Sequence, residues 1–125
     1  MAYLNDLVLD LGLNVLDTEA NRLDITIGEA TTFGEATTDG NKSAGYKTSL
    51  SIGAPGAKAG GGRKVTVAAI TDGTVTETGT ASHWAISDTV NSRLLATGAL
   101  SSGQVVTDGN TFTLAAFDIG IPTVA

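Results

Sequence analysis

Apolar and polar residues alternate one by one along much of this chain, the pattern of strands with one buried face. Leu23-Asp24-Ile25-Thr26-Ile27 alternates cleanly and stops at Gly28, predicting a first strand. Ala44–Ile52 alternates again, with Tyr46, Thr48, Leu50 and Ile52 on one side. Lys64–Thr71 is expected to pair with Gly73–Ala81 across Asp72-Gly73, a dipeptide suited to tight hairpin turns. Ala81–Leu100 reads as a central hairpin with Thr89–Ser92 at its tip. Gln104–Thr107 is then expected to meet Thr111–Phe117 through Asp108-Gly109-Asn110, and Asp118–Ile121 follows as a last strand. Closely spaced short strands separated by turn residues predict a β-sandwich or barrel.

Two strands break their own alternation. Val65 and Val67 share a parity that Ile70 lacks, and Phe112 and Leu114 share one that Phe117, Ile119 and Ile121 lack. A one-residue switch inside a strand marks a bulge, a bend between sheets, or a strand covered on both faces. The bend fits a sandwich whose strands turn corners, as in a jelly roll.

The remaining segments are less regular. In residues 4–16, Leu4, Leu7, Val8, Leu11 and Val15 share a helical face, while Leu7, Leu9, Leu11, Leu13 and Val15 also alternate as in a strand. Asn5 as N-cap and Asp6 in the first turn favour a helix in the first 20 residues, although Gly12 weakens it by about 1 kcal/mol relative to alanine. Residues 28–43 hold a short tandem repeat, Gly28-Glu29-Ala30-Thr31-Thr32 and Gly34-Glu35-Ala36-Thr37-Thr38 around Phe33. Two copies cannot make a solenoid, so this reads as an acidic surface loop anchored by Phe33 and ending in the Asp39-Gly40-Asn41 turn. Residues 53–62, GAPGAKAGGG, read as a flexible loop. With 125 residues, the expected arrangement is a single domain over residues 1–125, large enough to fold without a disulfide or metal.

Charge and composition narrow the function classes. The net charge of −6 is uneven: residues 1–40 carry eight acids against Arg22, whereas the remainder nets +1. Only Lys58, Arg63 and Lys64 form a basic group, which argues against nucleic acid as a partner. The absence of cysteine excludes thiolate metal sites and a cysteine nucleophile. No stretch has the length of a membrane helix, and the first residues lack the basic start of a secretory signal.

His83 is the one side chain titrating near neutrality, but strand alternation sends Ser82 and Trp84 to the opposite face. Asp88 shares the parity of Trp84, so no local Ser-His-Asp arrangement is expected. A single histidine argues against zinc. Asp6 and Asp10 read as a solvated helix face rather than a glycosidase pair. Gly62-Arg63-Lys64-Val65 fails the phosphate-loop pattern, and the Asp-Gly-Asn turns lack calcium-loop spacing. Trp84, with Ile86 on its side of the strand, is expected in the core. No catalytic, cofactor-binding or metal-binding residue is assigned.

Several segments together resemble small virion-associated proteins of tailed bacteriophages: LDLGLNVLDTEANRLDI (9–25), GEATTFGEAT (28–37), GGRKVTVAAITDGTVTETGTASHWAISD (61–88), SRLLATGAL (92–100) and VVTDGNTFTLAAFDIGIP (105–122). The resemblance implies a helical N-terminal segment and a non-enzymatic structural role, decorating or cementing the capsid by binding the major capsid protein. It implies location on the virion surface, with no nucleic-acid or membrane partner. Self-association as a homotrimer would match threefold points of an icosahedral shell. The expected fold is thus mainly β, a jelly-roll-like β-sandwich with a short N-terminal α-helix. A tail, fibre or baseplate component binding a host receptor or glycan is the alternative.

Overall fold

A computed structural model of the chain describes residues 3–4, 12–38, 42–57 and 63–121. Among these, β1 (Tyr3–Leu4), α1 (Asn14–Thr18), β2 (Arg22–Thr26), α2 (Phe33–Thr37), β3 (Ser43–Thr48), β4 (Gly56–Ala57) and β5 (Arg63–Val67) make up the first half. The second half is β6 (Ile70–Val75), β7 (Gly79–Asp88), β8 (Arg93–Val106), β9 (Thr111–Leu114) and β10 (Phe117–Ile121). The fold is mainly β and antiparallel. A curled sheet runs β1-β8-β7-β2-β3-β6-β9, and a smaller one runs β10-β5-β4.

The β7–β8 hairpin is the centre of the large sheet, and its tip, Thr89–Ser92, lies where the sequence places it. It is longer than expected, because β8 continues past Leu100 until Val106 pairs with Gly79. Inside it, Gly98 faces Trp84. A Cβ on Gly98 would come within 2.5 Å of Trp84 Cζ2, so its absence lets the indole lie across β8.

Both parity switches coincide with passages between sheets. Residues 68–69 carry the chain from β5 in the small sheet to β6 in the large one, and residues 115–116 carry it from β9 to β10. Leu23, Ile25, Ile86, Leu95, Val75 and Phe112 of the large sheet therefore share one core with Val65, Val67 and Ile119 of the small one. Leu13, Val15 and Leu16, in and just before α1, belong to the same core. A satellite cluster of Ala30, Ala36, Ala85 and Leu94, with Phe33 packed against it, lies under α2. Phe33 is thus an anchor, as expected.

Several expectations are corrected. Asp72-Gly73 is not a turn but lies within β6, at a register irregularity between Ile70 and Gly73. Gly73 is required there because a side chain would overlap the Phe112 ring. Consequently β5 pairs with β10 and β4, while β6 pairs with β3 and β9. Thr107–Asn110 does turn, with Asn110 N–H donating to Thr107 O at 3.0 Å and Gly109 at φ +89°. It nevertheless delivers β9 to β6 rather than back onto β8.

The strand expected over Ala44–Ile52 ends at Thr48, where Ser49 adopts φ +56°; Ile52 forms a separate bridge with Val67. Within the glycine-rich 53–62 stretch, Gly56–Ala57 pairs with Lys64 and Arg63, and residues 58–62 lie outside the described residues. The expected N-terminal helical segment is found in part among the described residues. Tyr3–Leu4 pairs as a strand with Thr97 and Ala96, and the helix occupies Asn14–Thr18, just after Gly12 at φ +73°. Residues 5–11, with the Asn5 cap and the Asp6/Asp10 pair, and the Asp39–Asn41 turn lie outside the described residues.

The acidic loop contains a helix. Thr32 caps α2 by accepting from Glu35 N–H at 3.1 Å, while Glu35 Oε1 accepts from Thr31 N–H at 2.9 Å and from Thr31 Oγ1 at 3.0 Å. This is a capping box displaced by one residue, in which the two halves of the repeat hold each other.

Candidate functional site

Three places gather polar or aromatic side chains that chemistry or binding could use. The first is Ser82–His83. Alternation predicts that these side chains diverge, yet Ser82 Oγ lies 2.8 Å from His83 Nδ1. The cause is a bulge: Ala81 pairs with Gln104 and His83 with Ala99, leaving residues 100–103 of β8 opposite Ser82 alone. Ser82 Oγ also accepts from Gly28 N–H at 3.0 Å. Asp88 does not join this pair. Its Oδ1 accepts from Val90 and Asn91 N–H, and its Oδ2 from Asn91 Nδ2, so it is committed to the hairpin tip. Ser82 therefore holds the turn after β2 against β7, and among the described residues no carboxylate hydrogen-bonds to His83.

The second place is a buried ion pair on the α2 side of the sheet. Asp24 is completely buried and receives Arg22 as a fork, Nε to Oδ1 at 2.8 Å and Nη2 to Oδ2 at 2.9 Å. Ser43 Oγ donates to Asp24 Oδ2 at 2.5 Å. The Arg22 guanidinium stacks 4.5 Å from the Tyr46 ring centroid and donates to Thr37 O at 3.0 Å, tying the end of α2 to the sheet. Burial pushes the Asp24 carboxyl above its ordinary range, against the opposing pull of Arg22 and Ser43. Hydrogen bonding to Asp24 pushes Arg22 up. Arg22, Asp24 and Ser43 are thus joined to one another and to the end of α2, a network that holds structure.

The third place is a groove of about 590 Å³ between Ala99–Gln104 of β8 and Thr113–Phe117 of β9 and β10. Trp84 also lines it, 4.6 Å from Phe117 between ring centroids at 39°. Trp84 is thus only half-buried, at the margin of the core rather than inside it. No lining residue is charged. Gln104 crosses the groove, donating from Nε2 to Thr113 O at 3.0 Å. That carbonyl can only accept, which fixes the amide's orientation and leaves Gln104 Oε1 buried without a hydrogen-bond partner.

Arg63 donates to Pro55 O, and Lys64 pairs with Asp118 at 2.9 Å, so both are engaged within the small sheet. Among the described residues, no three His, Asp or Glu side chains are placed to hold a metal ion, and no helix is long and apolar enough to cross a membrane. The groove escapes sequence reading because its main walls, β8 and β9, lie towards opposite ends of the strand order of the large sheet. Its one trace is the uncharged run Leu94–Val106.

Comparison with known proteins yields no matching family, no matching curated protein and no matching solved structure.

Proposed function

We propose that this chain is a non-enzymatic structural protein of a tailed-phage virion, a decoration or cement protein that binds the major capsid protein on the head surface. In this reading the two sheets are a jelly-roll-like sandwich, and copies associate as trimers at the threefold points of the shell. The observation that supports it is the groove: an uncharged cleft with aromatic side chains, beside strand edges that are unpaired among the described residues, suits a protein partner. The resemblance of five segments to small virion proteins supports the same reading. Attachment of many copies to a symmetric lattice lets individually modest contacts hold firmly.

The test is protein identification and cryo-EM reconstruction of phage heads purified free of tails. The expected result is this chain in stoichiometric amount on the outer shell. Its recovery with tails alone would favour the receptor-binding alternative, and its absence from virions would end both.

A further inference from the structure

We propose that Gln104 is a releasable clasp: its side chain ties β8 to β9 across the curled sheet, and its release widens the groove beside Trp84. The device belongs to the fold itself and holds whatever the protein attaches to. Three observations carry it. First, β8 and β9 lie towards opposite ends of the strand order and are not paired main chain to main chain among the described residues. Gln104 alone is seen to bridge them by a hydrogen bond among those residues, Nε2 donating to Thr113 O at 3.0 Å. The Trp84–Phe117 ring contact lines the same groove, and both rings are only half-buried.

Second, the clasp is poised. Closing it leaves Gln104 Oε1 buried without a donor. A neutral hydrogen bond gains little net over water, and an unpaired buried acceptor costs a comparable amount or more. Rotating the side chain out of the groove gives both ends of the amide to water, and Thr113, an exposed residue, has its carbonyl hydrated in exchange. The closed and released arrangements are therefore close in free energy.

Third, the chain that carries Gln104 has a place to bend. Ala99 pairs with His83 and Gln104 with Ala81, so Leu100–Gly103 bulges out opposite Ser82. Ser101, Ser102 and Gly103 are exposed, and a bulge with few buried apolar contacts opens at lower cost than the paired strand on either side of it. Release of Gln104 lets this bulge swing away from β9 while β7 and the rest of β8 stay paired.

The experiment follows Trp84, the only tryptophan, by acrylamide quenching of its fluorescence in wild type, Gln104→Glu and Ser101→Glu. Above a carboxyl pKa of about 4.3, Gln104→Glu sets a charged acceptor against the Thr113 carbonyl and cannot clasp. Below it, the protonated carboxyl donates to Thr113 O as the amide does. No residue lining the groove is charged, so this carboxyl is the group of the lining that titrates. At neutral pH, quenching in Gln104→Glu is expected to exceed that of wild type by about twofold or more, the least that one lost hydrogen bond is worth. It should return to the wild-type value at about pH 3. Ser101→Glu, which puts a charge on the groove wall without touching the clasp, should follow wild type at both. Quenching in Gln104→Glu that equals wild type at neutral pH, fails to return in acid, or is matched by Ser101→Glu overturns the clasp. Wild type alone tests its release, and decides the matter if Gln104→Glu does not fold. Relaxation-dispersion NMR should show microsecond-to-millisecond exchange at the Gln104 side-chain amide and the Trp84 indole N–H, and flat profiles at both overturn it.

Discussion

At the scale of single residues, the fold depends on two kinds of local accommodation: glycines that make room and a buried charge that is fully paired. Gly73 sits under the Phe112 ring, so Gly73→Ala forces a methyl group into occupied space. We expect a loss of about 2–3 kcal/mol in chemical denaturation. Gly34 in α2 has nothing within 4 Å of where a Cβ would lie, so Gly34→Ala should instead stabilise by about 0.5–1 kcal/mol. Equal effects at the two sites would contradict the packing described.

The second accommodation makes a pH prediction. Arg22→Met leaves Asp24 buried without its fork, which should destabilise by about 3–5 kcal/mol near neutral pH. Burial already raises the Asp24 carboxyl, and losing Arg22 raises it further. A carboxyl raised by folding contributes stability that is complete below its unfolded value of about 3.9 and is lost as pH rises through the folded value. The gap between variant and wild type should therefore narrow as pH falls towards that value. Glu35, lowered mainly by the Thr31 N–H, and Asp118, lowered mainly by the Thr66 hydroxyl, act in the opposite sense, weakening the fold as pH falls. Both are present in the two proteins, so the difference isolates Asp24. A gap that widens on acidification would refute the assignment.

At the scale of elements, α2 is the clearest case of local sequence determining local structure. Thr32 supplies the N-cap, and Thr32→Ala should cost about 1 kcal/mol, a fall of about 3–5 °C in unfolding temperature. An unchanged unfolding temperature would show that packing of Ala36 and Phe33, not the cap, holds the helix.

The Thr-x-x-Glu signal for this helix was present in the sequence, but the tandem repeat around it suggested a loop. The β7–β8 hairpin was legible because alternation, a polar tip and a sharp return all agree within one continuous segment. Asp72-Gly73 misled for the opposite reason. Its glycine answers to Phe112, some 40 residues away, rather than to a local turn. Ser82 misled because the bulge facing it belongs to β8, so alternation along β7 could not reveal it. The groove was illegible on the same grounds, since its shape exists only once β8 and β9 approach.

At the scale of the whole molecule, the parity switches at 68–69 and 115–116 explain how one chain builds two sheets around one core. Each switch lets apolar residues before and after the corner face the same interior from opposite sides. The sheets should differ in stability. The large one has β2 and β7 paired on both sides, with Ile86 in the main core and Ala85 in the satellite cluster. The small one relies on Val65, Val67 and Ile119 from one face, while Lys64, Thr66 and Asp118 meet on its more exposed face. Native-state hydrogen exchange should find amides of β2 and the Trp84–Asp88 half of β7 opening only with global unfolding. Those of β5 and β10 should open together at lower free energy. Val67→Ala, truncating a fully buried side chain, should lower β5 and β10 protection along with global stability by about 2 kcal/mol. Equal protection in the two sheets would mean that the corners transmit stability fully and that the molecule opens as one unit.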